Sequence, residues 1–156
     1  MLAISQPDRP RGRGRSRTPS PIAAFALEAG LPLLRPEAVG AGEVLRAMRE
    51  RAVDLGVVVA FGQFLPRAIR ECPSRGYLIN GHASLLPRHR GAAPIQRAIL
   101  AGDRVTGVSV MRVEREMDAG PIALQREIAV GPDEDAGSLG ARIAALTADA
   151  LAEVLA

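Results

Sequence analysis

Apolar and polar positions divide the chain into short periodic blocks. Residues 2–5 read as the end of a short strand. Residues 6–21, crowded with Pro, Gly and Arg, predict no regular element. A helix should follow. Ser20 suits its N-cap, Pro21 its first position, and Gly30 the left-handed position beyond its end. Ile22, Phe25, Ala26 and Ala29 give it an apolar face. Residues 31–34 are a short apolar run stopped by Pro36. Residues 41–53 predict a second helix, with Val44, Leu45, Met48 and Ala52 on one side. Residues 54–60 are apolar without alternation, the pattern of a strand buried on both faces. A short helix around 65–71, a strand at 77–80 and a loop over 81–92 come next. Pro94–Leu100 reads as a helix ending at Gly102, and 105–114 and 121–130 read as strands. In 138–155, Leu139, Ile143, Leu146, Ala150 and Val154 recur at helical spacing.

Strands alternating with helices predict an α/β, Rossmann-like fold: a mostly parallel sheet with helices on both faces. Ligands in such sheets bind beyond the carboxyl ends of strands. Two polar segments fit that rule, Phe61-Gly62-Gln63 after the 57–60 run and Asn80-Gly81-His82 after the 77–79 run.

Composition narrows the picture. A chain of 156 residues, 47% of them hydrophobic, fits one domain. With three Phe, one Tyr and no Trp, its core must be mainly Val, Leu, Ile and Ala. Cys72 is alone, which excludes an intrachain disulfide and a Cys-based metal cluster and suits a reducing cytoplasm. The first residues are not those of a signal peptide, and no stretch approaches the ~20 apolar residues of a membrane span. A cytoplasmic monomer with no membrane contact is expected. Every one of the 20 basic residues is Arg, and five of them alternate as Arg9, Arg11, Arg13, Arg15 and Arg17. Without those five, the net charge of +3 would turn negative. The body is mildly acidic and carries one strongly basic segment, whose alternation suits contact along a phosphate backbone.

The densest polar signal is Asn80-Gly81-His82-Ala83-Ser84-Leu85-Leu86-Pro87-Arg88-His89-Arg90-Gly91. An amide and an imidazole two residues apart at a strand end project to one side. Asn donates hydrogen bonds to a developing oxyanion. His does the same when protonated, or moves protons near neutral pH. A carboxylate is needed to orient His82. Asp118, in Met117-Asp118-Ala119-Gly120-Pro121 between two strand-like segments, is placed to reach back. A satisfied turn is the simpler reading of such a pair taken alone.

The run Asn80-x-His82-x-Ser84-Leu85-Leu86-Pro87, followed by Arg90-Gly91, resembles the signature of folate-dependent formyltransferases. These transfer the formyl group of 10-formyltetrahydrofolate to an amine. The resemblance implies a catalytic set of Asn80, His82 and Asp118, with Asp118 in the expected Asp-x-Gly-Pro-Ile context. Ala60-Phe61-Gly62-Gln63-Phe64-Leu65-Pro66 resembles the family's folate-pocket loop. Phe61, Gly62, Gln63, Leu65 and Pro66, with Ser84, Leu85, Leu86 and Pro87, are the folate contacts this implies. Gln6-Pro7-Asp8-Arg9-Pro10, Gly12-Arg13-Gly14 and Pro19-Ser20-Pro21 resemble the acceptor-stem loop of the branch that formylates initiator methionyl-tRNA. Arg88-His89-Arg90-Gly91-Ala92-Ala93-Pro94-Ile95-Gln96 is similar to the same branch. By that match, Arg9, Arg13, Arg15, Arg88 and Arg90 contact the tRNA, with Arg13 at the acceptor end. Arg11 and Arg17 have the weakest claim.

The resemblance covers nearly the whole chain as one catalytic domain, residues 1–156, with a basic loop at 6–21. It implies no metal, and no His/Cys/carboxylate cluster has metal-ligand spacing. Against the family pattern, the first strand of the sheet and a C-terminal barrel domain are expected to be missing. Two other readings compete. A formyltransferase for glycinamide ribonucleotide or an amino sugar would share Asn80, His82 and Asp118 but have little use for the Arg segment. A non-catalytic RNA-binding fragment would need that segment and neither Asn80 nor His82.

Overall fold

The computed structural model describes residues 1–11 and 16–156. They divide into one unit of residues 1–56 and 61–77 and a second of residues 57–60 and 78–156. In the first unit, β1 (Ala3–Ile4) is followed by β2 (Arg9–Arg11) and β3 (Ser16–Thr18). The expectation of no regular element over 6–21 is overturned. β2 and β3 form an antiparallel ribbon with Arg9 opposite Thr18, Pro10 opposite Arg17 and Arg11 opposite Ser16. A two-stranded ribbon consists only of edges, where Pro is tolerated, and the φ fixed by its ring suits an extended strand. A hydrogen bond between the Ser5 and Ser20 hydroxyls closes the base.

α1 (Pro21–Glu28) starts as its capping residues dictate. The Ser20 hydroxyl accepts from the Ala23 amide at 3.2 Å, and Gly30 takes φ +64° where the chain leaves the helix. The buried face is not the expected one. Ala23 and Ala26 are fully buried, whereas Ile22 and Phe25 are 53% and 59% exposed. Two alanines three residues apart let the helix sit close to β1 and to β4 (Leu33–Leu34), which pair in parallel. α2 (Gly42–Glu50) buries Val44 and Met48 as their spacing predicts. Ala52 lies past its end, exposed, at φ +45°.

β5 (Gly56–Val58) is shorter than the apolar run predicts, and Val57 and Val59 are 46% and 51% exposed. It stands last in its sheet and is not the strand buried on both faces. α3 (Arg67–Arg70) buries Ile69. In the second unit, β6 (Leu78–His82), α4 (Pro94–Leu100), β7 (Val105–Arg112), β8 (Ile122–Ala129) and α5 (Ala136–Leu155) complete the chain. The strand order is β5-β6-β7-β8. β7 holds the core. It is flanked by β6 and β8, and Val108, Val110 and Met111 are almost wholly buried.

The chain is α/β, as its alternating elements predict. β1 and β4 run parallel, whereas β7 is antiparallel to both β6 and β8. The β7–β8 connection is shorter than the dozen or so residues a parallel crossover needs, so it closes an antiparallel pair. α5 lies on β6, β7 and β8 through Leu139, Ile143, Thr147, Ala150 and Leu151. It starts one residue after Asp135, whose carboxylate accepts from the Gly137 and Ser138 amides at 2.9 and 2.7 Å.

Candidate active site

β6 determines where Asn80 and His82 point. Alternate residues of a strand face opposite sides, and the side of Gly81 is taken. A Cβ at Gly81 would lie 2.6 Å from Thr147 Cγ2 and 3.4 Å from Leu151 Cδ1, both on α5. Asn80 and His82 therefore share the face turned away from α5. The expectation that Asn80-Gly81-His82 lies beyond the strand is corrected. These are the last three residues of β6, with Asn80 opposite Met111 and His82 opposite Ser109. Ladder pairing fixes their direction more tightly than a loop would. Among the described residues, the Asn80 side-chain amide has no hydrogen-bond partner.

His82 is 7% exposed, and both ring nitrogens face acceptors. Nδ1 lies 3.5 Å from Asp118 Oδ2, and Nε2 lies 3.1 Å from the His89 carbonyl. Asp118 reaches back as its place in the sequence suggests. Its Oδ2 also accepts from the Gly91 amide at 2.7 Å. The turn that presents it is tight. Asp118 has φ +50°, which Asp tolerates better than most residues. A Cβ at Gly120 would stand 2.0 Å from the Arg112 carbonyl oxygen, so only glycine fits there.

The 84–87 turn is held from beneath by a residue the motif does not contain. Ser109 Oγ is fully buried, accepts from the Leu86 amide at 3.0 Å and donates to the Ser84 carbonyl at 2.7 Å. Gln125, directly opposite on β8, donates to Ser109 Oγ at 2.8 Å and to the Leu86 carbonyl at 3.1 Å. Ser84 donates its hydroxyl to the Arg88 carbonyl at 2.6 Å, and the Leu86–Pro87 peptide is cis. Ser84 and Leu86 are buried, Leu85 is half-buried and Pro87 is exposed. The sequence shows Ser109 only as one of two hydroxyls in β7, with Thr106, and names no partner for either.

The 61–66 segment lies in the first unit. Gln63 Oε1 accepts from the Val39 amide at 2.7 Å, and Nε2 donates to the Pro36 carbonyl at 3.3 Å and Gln6 Oε1 at 3.4 Å. Gln6 donates in turn to the Phe61 carbonyl at 2.6 Å. Gly62 has φ +74°, while Phe61, Leu65 and Pro66 are half-buried. The Gln63 side chain thus supports its own loop. Gln6, which the motifs do not mark as a site residue, ties the start of the basic segment to this loop.

The arginines differ in their surroundings. Arg9 is exposed and donates to Gln6 Oε1 at 3.3 Å. Arg13 and Arg15 lie outside the described residues. Arg88 pairs with Asp103, which leaves it less free charge than the sequence suggests. Arg90 is exposed. No helix among the described residues is long and apolar enough to cross a membrane.

Residues 1–155 match the family profile described as Formyl transferase. The chain is 47% identical over 155 residues to a methionyl-tRNA formyltransferase of Geobacter metallireducens, covering 99% of this chain and 50% of that protein. It is 50% identical over 152 residues to one from Acidithiobacillus ferrooxidans, covering 97% and 48% respectively. The chain thus spans about half the length of these relatives. Among solved structures, phosphoribosylglycinamide formyltransferase from Anaplasma phagocytophilum aligns with a TM-score of 0.78 at 28% identity, covering 86% of this chain and 66% of that one.

Proposed function

The chain belongs to the formyl transferase family, and on that premise we propose that it carries the formyl-transfer site of a methionyl-tRNA formyltransferase. The formyl donor is 10-formyltetrahydrofolate and the acceptor is the α-amine of initiator methionyl-tRNA. Residues 1–156 act as a catalytic domain. One observation carries the reading: an Asn80 side-chain amide with no partner among the described residues shares a strand face with a buried His82 backed by Asp118.

Formyl transfer is acyl transfer. The uncharged amine attacks the formyl carbon, a C–N bond forms, and the carbonyl electrons move onto oxygen. The Asn80 side-chain amide donates to that oxyanion, as does His82 through Nε2–H once substrate takes the place of the His89 carbonyl, and one such donor is worth roughly 3–4 kcal/mol. The bond from the carbon to folate N10 then breaks as the oxyanion collapses. N10 gains a proton and the amine loses one, with His82 and Asp118 as the relay. Phe61, Gly62, Gln63, Leu65 and Pro66 are folate contacts, as are Ser84, Leu85, Leu86 and Pro87. Because Ser84, Leu86 and Gln63 spend their side chains on packing or on the backbone, they act mainly by shaping these loops. Arg9, Arg13, Arg15, Arg88 and Arg90 contact the tRNA, Arg9 from the base of the β2–β3 ribbon.

The competing acceptors are glycinamide ribonucleotide and amino sugars. The test is competition. The protein carrying this chain is given 10-formyltetrahydrofolate labelled in its formyl group, with charged initiator tRNA, glycinamide ribonucleotide and an amino-sugar nucleotide together. Label should enter the tRNA fraction. Label in either small molecule with none on tRNA would overturn the choice of acceptor.

A further inference from the structure

A second imidazole–carboxylate pair stands behind His82. His89 Nε2 lies 2.7 Å from Asp103 Oδ2, with side chains 13% and 6% exposed. The other Asp103 oxygen is taken by Arg88. The hydrogen bond from His89, more than any other interaction, holds the Asp103 carboxyl below the ordinary carboxylate range. His89 also has φ +54°, in the left-handed region that His enters more readily than most residues. This backbone turn sets the His89 carbonyl 3.1 Å from His82 Nε2. The His89 carbonyl and the Asp118 carboxylate both only accept; the carbonyl is the nearer, at 3.1 against 3.5 Å, and so favours hydrogen on Nε2.

We propose that Asp103 is a positioning residue for His82, acting through His89. The buried Asp103–His89 bond pins the loop so that the His89 carbonyl fixes the orientation of the His82 ring and keeps hydrogen on Nε2. The proposal deepens the formyl-transfer reading, because it concerns how the proposed catalytic imidazole is prepared. Its test does not depend on turnover.

The chain contains only two histidines, so the imidazole nitrogens are readily assigned by NMR. The 156-residue chain is labelled with ¹⁵N and studied without substrate. His82 should show an Nε2–H signal shifted downfield by its carbonyl acceptor and protected from exchange with water. In Asp103→Ala, exchange of that hydrogen should quicken roughly tenfold, the ceiling for losing one net hydrogen bond, and Nδ1–H tautomer should appear. Asp103→Asn keeps an acceptor for His89 and should retain the wild-type signature. If Asp103→Ala fails to fold, His89→Phe removes the same bond while filling the space, and the same His82 signals are read. An unchanged His82 tautomer and exchange rate in a folded Asp103→Ala or His89→Phe chain would overturn the proposal. So would equal disturbance by Asp103→Asn, which would mean that the charge and not the bond matters. Failure of formyl transfer with these signatures intact would instead sink the functional reading and leave the positioning role standing.

Discussion

Two buried hydroxyls on β7 make a matched experiment. Ser109 Oγ has three hydrogen bonds, to the Leu86 amide, the Ser84 carbonyl and Gln125. Thr106 Oγ1 is equally inaccessible and has no partner among the described residues. Ser109→Ala leaves a buried amide and a buried carbonyl unpaired, each costing about 1–3 kcal/mol. Gln125 still reaches the Leu86 carbonyl, so part of the turn stays tied. Relaxation will recover some of the rest, giving an expected loss of about 2–4 kcal/mol. Thr106→Val keeps shape and volume and removes a hydroxyl that gains nothing from folding, so stability should stay level or rise by about 1 kcal/mol. The assay is urea unfolding of the 156-residue chain, with midpoints compared at constant slope. Equal losses in the two variants would refute the reasoning, since they would show that burial and not hydrogen bonding decides the effect. A loss below about 1 kcal/mol in Ser109→Ala would remove Ser109 as the anchor of the 84–87 turn.

Four further outcomes are expected. Gly81→Ala should destabilise by about 1–3 kcal/mol, because its Cβ must displace the end of Thr147. Gly120→Ala should be far worse in the same melt, because its Cβ meets backbone that cannot yield. The Asp103, Glu134 and Asp135 carboxyls are held below the ordinary range by hydrogen bonds from His89, Arg142 and the Ser138 amide, respectively. Depressed folded-state values mean stability that is fully present above the unfolded values, near pH 4, and is lost as pH falls below them. The urea midpoint should drop on acidification there, and less steeply in Asp135→Asn. Replacing Arg9, Arg11, Arg13, Arg15 and Arg17 by Ala should lower the log–log salt slope of tRNA binding by about one unit for each phosphate no longer neutralised. An unchanged slope would make the segment a solvated one.

Features with local causes are legible in the sequence. Ser20, Pro21 and Gly30 bracket α1 because capping chemistry needs only neighbouring residues. Val44 and Met48 face inward because their spacing alone puts them on one side of α2. What depends on a distant partner is not legible. The ribbon of Arg9–Arg11 and Ser16–Thr18 reads as irregular because its composition hides its pairing. Ile22 and Phe25 read as buried because the pattern shows that a face exists and not how closely small alanines can dock. Around the candidate site, Asp118 can be named from its motif, and it lies beside His82. Ser109, Gln125 and Asp103 cannot be named, because their partners are 14 or more residues away and meet them only once the strands align.

The central claim is that Asn80, His82 and Asp118 transfer the formyl group. Its most direct test is single-turnover formylation of charged initiator tRNA by the protein carrying this chain, compared with Asn80→Ala, His82→Ala and Asp118→Ala. Folate affinity is measured in parallel. Each variant should slow transfer by at least ~100-fold while folate affinity changes little, as expected when an interaction made in the transition state is removed. Transfer at near-normal rate in His82→Ala would contradict the account.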